Sequence, residues 1–144
     1  MAQQPPLSAN VTPSLLWTFF SPVGRISREP YWLGFFIIWI VIGIAANTWV
    51  QTIDVQQDLD QFTIAAFMES NPLLPLLFLV LQWIELALVI KRLQDRDFSG
   101  FLSLLVFVPF FSLFMILALG FMPSTDGPNR YGPEPNSYFR RNKV

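Results

Sequence analysis

Three long apolar runs separated by short charged or proline-rich stretches organise this chain. Residues 31–50 carry no charged side chain. As a helix rising about 1.5 Å per residue, this run matches a hydrocarbon core of roughly 30 Å. Tyr31 and Trp32 at one end and Trp49 at the other supply aromatic belts. Pro30 suits a first helical turn, where its missing N–H loses no partner, so the helix is expected to start near it. Residues 72–90 form the second run, with Ser70 and Asn71 as candidate caps. Residues 101–122 form the third, closed by Met122 and Pro123. Pro109 lies in its middle and predicts one kinked span, the alternative being a broken helix or a re-entrant turn.

Two shorter segments read either as helices lying on the membrane or as irregular loops. Ser14 to Phe20, SLLWTFF, is too short to span but has the Trp and Phe content of an interfacial anchor. Asp58 to Met68 places Leu59, Phe62, Ala66 and Phe67 at helical spacing after acidic residues that can cap it. The expected fold is therefore an all-α membrane protein: three transmembrane helices, short interfacial helices and a Gly/Pro-rich C-terminal tail. Residues 1–13 form a polar N-terminal tail, 14–122 the membrane domain and 123–144 the C-terminal tail.

Composition narrows the chemistry. At 144 residues, 53% hydrophobic and 13% charged, the chain departs from soluble domains, where roughly a quarter of residues are charged. A net charge of −1 gives no basic field for nucleic acid. The absence of Cys and His removes thiol nucleophiles, thiolate metal sites and the commonest general base. No cofactor is implied. The first thirty residues lack the early Lys or Arg of a secretory signal, so the first apolar run is expected to be retained.

Charge also orients the chain. Between the first two runs stand Asp54, Asp58, Asp60 and Glu69 without a Lys or Arg, whereas Lys91, Arg92 and Arg96 lie between the second and third, and Arg25 and Arg28 precede the first. The positive-inside rule therefore places the N-terminus and the 91–100 loop in the cytoplasm. Three spans would put the C-terminus outside, which conflicts with Arg130, Arg140, Arg141 and Lys143 in the tail.

Candidate functional residues follow from position. Glu85 is the charged residue inside a predicted span, with Gln82 and Arg92 on its helical face. Asn47 with Gly43 one turn earlier suggests a helix contact. Asp95 and Asp97 resemble a divalent-metal pair, but Lys91, Arg92 and Arg96 around them favour ion pairing, and no metal is assigned. Arg130 and Tyr131 sit in a turn-rich tail, GPNRYGPEP, that can dock on the spans or a partner. Asn10-Val11-Thr12 matches a glycosylation sequon on the expected cytoplasmic side, where that modification does not occur.

Three motifs, FSPVGRISREPYW at 20–32, KRLQDRDFSG at 91–100 and GPNRYGPEP at 127–135, together resemble the YhaH-like family of small bacterial inner-membrane proteins, domain of unknown function 805. Gly24, Arg25, Arg28, Arg92, Leu93, Asp95, Ser99, Gly100, Asn129, Arg130, Tyr131 and Gly132 match its pattern. The resemblance implies a multi-pass inner-membrane protein and no established activity. Gln94 stands where that pattern usually has His, which closes a histidine mechanism and leaves a hydrogen-bonding role open.

The expected function is that of a non-enzymatic accessory or interaction protein of a membrane complex. Arg25, Arg28, Asp95 and Asp97 would form a cytoplasmic ion-pair cluster, with Glu85, Arg92, Arg130 and Tyr131 as further cluster members. The expected partners are the lipid bilayer and either another membrane protein or a second copy. The alternatives are an oligomeric transport or channel component using Gln82, Glu85 and Asn47, and a headgroup enzyme using Asp95 and Asp97.

Overall fold

The computed structural model describes residues 9–52 and 63–139. Strand β1 (Ala9–Asn10) is followed by helices α1 (Leu15–Phe20), α2 (Arg28–Val50), α3 (Ile64–Glu69) and α4 (Leu74–Asp95). A 3-10 helix (Gly100–Phe107), helix α5 (Phe111–Phe121) and strand β2 (Tyr138–Phe139) complete the order.

Among the described residues, α2 and α4 are long and apolar enough to cross a membrane. They pack through an inner stripe in which Tyr31, Phe35 and Ile38 meet Leu81 and Leu88. Gly34 permits the close approach, since a Cβ there would lie 2.6 Å from Leu88 Cδ1. The outward face of α2 leaves Leu33, Phe36, Ile37, Trp39, Ile40 and Ile44 exposed. A continuous apolar surface of that kind is stable against lipid and not against water. Gly43, expected in a helix contact with Asn47, faces open space instead.

The third expected span is corrected. Residues 100–121 do not form one kinked helix. They form a broken hairpin whose turn falls at Val108, Pro109 and Phe110, with Phe110 at φ +68°. Pro109 has no N–H to continue a ladder, and the positive φ at Phe110 reverses the chain before α5 begins. The two limbs are nearly equal, about 16 Å each by their rises per residue, or roughly half a hydrocarbon core. Both open ends lie at the same end of α4. Gly100 packs on Ile90 and Gln94, while Arg92 Nε donates to Leu119 O at 2.9 Å.

The expected loop 91–100 is likewise corrected, because α4 continues to Asp95 and takes Lys91, Arg92 and Asp95 into the interior. At the other end of α4, the N-cap is Leu73, whose N–H is held by Asn71 Oδ1 at 2.9 Å, while Ser70 caps α3. The surface helix expected over 58–68 appears as α3, capped by Thr63 Oγ1 accepting from Ala66 N; Asp58, Leu59, Asp60 and Phe62 lie outside the described residues. α1 forms where expected, with Ser14 Oγ accepting from Trp17 N.

The tail folds back onto the N-terminal flank. β1 and β2 pair antiparallel, Ala9 with Phe139 and Asn10 with Tyr138. Tyr138 stacks on Trp17 at 5.4 Å, and Asn136 bonds both the N–H and the hydroxyl of Ser27. The flank, the end of α4, the mouth of the hairpin and the tail therefore form one polar cap.

Candidate functional site

At the centre of the cap, Asp95 lies between two arginines. Arg25 Nε donates to Oδ1 at 3.0 Å and Arg92 Nη1 to Oδ2 at 2.5 Å, with all three side chains fully buried. One carboxylate cannot neutralise two guanidinium groups in a medium of low dielectric, so the rest of each fork must find other acceptors. Carbonyls supply them. Arg25 Nη1 donates to Gly127 O at 2.6 Å and Gly132 O at 3.2 Å, and Nη2 to Thr125 O at 2.6 Å. Arg92 donates to Leu119 O, Ile26 O, Met122 O and Ser124 Oγ. Two of these acceptors sit at the C-terminal end of α5, where unpaired carbonyls and the helix dipole favour a cation.

Lys91, one residue earlier and so turned about 100° around α4, serves another helix. Its ammonium donates to Trp17 O at 3.0 Å, Thr18 O at 2.6 Å and Ser21 O at 2.6 Å, and lies 4.8 Å from the Trp17 ring centroid. Lys91 thus caps α1 as Arg92 caps α5. Gln94 Oε1 accepts from Gly24 N at 3.0 Å, and its backbone carbonyl accepts from Asn129 Nδ2 at 2.8 Å. Lys91, Arg92, Gln94 and Asp95 at one helix end thus tie α1, the residues before α2, the end of α5 and the tail together.

The family described as "Protein of unknown function (DUF805)" matches residues 19–133, which contain every element of the cap except β1, α1's first turn and the end of the tail. The chain belongs to the DUF805 family. "Inner membrane protein YhaI" of Escherichia coli K12 is 32% identical over 123 residues, covering 85% of this chain and 92% of that protein. "Inner membrane protein YhaH" of the same organism is 37% identical over 49 residues, 34% of this chain and 40% of that protein. No solved structure matches. With two helices of spanning length and apolar outer surfaces, this DUF805 chain is a membrane protein.

The expected cluster is brought together in part. Arg25, Arg92 and Asp95 converge. Asp97 instead pairs with Arg130 at 3.1 Å on the surface, both more than half exposed, and Arg130 lies 4.9 Å from the Tyr131 ring centroid. Among the described residues, Arg28 joins no ion pair. It lines a groove of about 960 Å³ with Ser27, Glu29, Trp32 and Asp126. Glu85 lies apart, accepting from Gln82 Nε2 at 3.1 Å, because Arg92 turns into the clasp rather than toward it. Asp95 and Asp97 face different partners, so they do not converge on a shared ligand.

In this DUF805 chain, Gln94 keeps the hydrogen-bonding role left open for its position, as an acceptor for a backbone N–H. Sequence reasoning missed Lys91, Trp17, Asn136 and Ser137 as cap-forming residues. Their main partners are backbone carbonyls and N–H groups, which carry no side-chain signature along a chain.

Proposed function

We propose that this protein is a multi-pass inner-membrane accessory protein, not an enzyme, which offers a rigid cytoplasmic cap to another membrane component. The observation that supports this reading is the Arg25–Asp95–Arg92 clasp. Its charges are buried and satisfied internally, so they fix a shape and leave no free acid, base or nucleophile at that point. The recognition surface is then the outer rim, where Arg28, Glu29 and Asp126 border the groove and Arg130 and Asp97 stand exposed beside the half-buried Tyr131.

The topology in this reading has two spans, α2 and α4, with the hairpin entering and leaving on the cytoplasmic side. Arg25, Arg28, Lys91, Arg92, Arg96 and Arg130 then share one side, and the conflict between three spans and a basic tail disappears. Reporter fusions following residue 139 and preceding residue 9 test it, and opposite sides for the two ends would overturn it. Purification of the tagged chain in mild detergent, wild type beside an Arg28→Glu, Arg130→Glu variant, tests the accessory role. The expected result is a co-purified protein lost from the variant; recovery of this chain alone from both would sink the proposal.

A second reading, an oligomeric transport component, draws on the Gln82–Glu85 pair within α4. Unchanged flux in Glu85→Gln would remove its support.

A further inference from the structure

The outward face of α4 carries a polar group where lipid offers it nothing. Gln82 lies about 12 Å along the helix from Leu74, deep in the apolar stretch. It lines a lateral groove of about 710 Å³ with Pro75, Phe78, Leu79, Trp83 and Leu86. One amide hydrogen of Gln82 goes to Glu85 Oε2. The carboxamide can make further hydrogen bonds as donor and as acceptor, and acyl chains supply neither.

The pattern of the face specifies what covers it. Pro75, Leu79, Gln82 and Leu86 recur at spacings of four, three and four, the seam spacing of paired helices, with one polar residue at an interior seam position. A single buried amide at such a position sets register between like helices. A carboxamide is also self-complementary: its oxygen accepts from the amide of a symmetry mate while its own amide donates in return. Pro75 and Leu79 are exposed, so the stripe is open at that end, whereas Gln82 and Leu86 are half-buried and Phe20 and Phe107 flank the groove.

We propose that α4 pairs with α4 of a second copy along this stripe, the two Gln82 side chains bonding to each other across a twofold axis normal to the membrane. The pairing leaves the polar cap of each copy free at one end of the dimer. It gives the accessory role proposed above a bivalent form and rests on that reading only for what the caps then bind.

The chain contains no cysteine, so single cysteines report the seam directly. Leu79→Cys and Leu86→Cys, oxidised in native membranes, should each give a covalent dimer of twice the chain mass, whereas Phe36→Cys on the outward face of α2 should stay monomeric. Adding Gln82→Leu to Leu79→Cys should weaken association by roughly three- to thirty-fold, the range for an intramembrane side-chain hydrogen bond. Monomers at positions 79 and 86, or equal dimer at position 36, would overturn the pairing. An adduct of another mass at position 79 would also overturn it, by assigning the groove to a different protein. Dimers formed by a chain that captures no other protein would support the seam and count against the accessory reading alone.

Discussion

Arg25 and Asp95 are 70 residues apart in sequence, yet Arg25 Nε lies 3.0 Å from Asp95 Oδ1, both side chains closed to solvent. The pair joins the entrance of the first long helix to the exit of the second. It closes the cap because Arg92 reaches the other carboxylate oxygen.

Replacing Asp95 with Asn should therefore destabilise the protein by about 3–5 kcal/mol, the cost of leaving buried charge without its counter-ion. Two guanidinium groups lose it at once. Thermal unfolding in detergent checks the loss; Asp97→Asn, which affects an exposed pair, should change stability by no more than about 1 kcal/mol.

Lys91→Met should release α1 while leaving α2 and α4 packed. The ammonium holds three carbonyls at the C-terminal end of a helix too short to persist unaided. Hydrogen exchange should rise over 15–21 and stay unchanged over 34–42. Lys91→Arg should fail to restore protection, since a planar fork does not replace a compact ammonium donating in three directions.

Gly24→Ala should undock the tail. Gly24 adopts φ +107°, and a Cβ there would stand 2.7 Å from Ser137 O and 2.6 Å from Tyr138 Cβ. Both the backbone conformation and the space exclude a side chain, so a cost above about 1 kcal/mol is expected. Faster proteolysis between 127 and 139 than in wild type measures it.

Phe110→Gly should stabilise the hairpin. Phe110 holds a positive φ at the turn and is 90% exposed, so it gives up little packing within the chain. Relief of about 1 kcal/mol, less the added freedom of glycine when unfolded, should raise the melting temperature slightly. Phe110→Pro should lower it, because proline cannot adopt that φ.

Much of the cap was legible along the chain as residue types and little of it as partners. Arg25 groups with Asp95 along the chain because both stand beside apolar runs at the expected cytoplasmic face. Arg28 and Asp97 stand there too, and charge sign alone does not separate them. What separates them is direction on the helix: Asp95 points inward beside Arg92, while Asp97, beyond the end of α4 at φ +59°, faces Arg130.

The apolar lengths of α2 and α4, the aromatic ends of α2, the short helix α1 and the clustering of basic residues can all be read along the chain, because each depends on local composition. Tertiary structure alone decided that residues 100–121 turn back at Pro109 and Phe110. A proline within an apolar run permits either a kink or a break. The choice depends on whether distant groups receive the freed chain, as Arg92 receives Leu119 and Met122, Trp32 receives Gly120, and Tyr31 receives Ile116. Those acceptors are backbone carbonyls, present at every residue and hence invisible in a pattern of side chains.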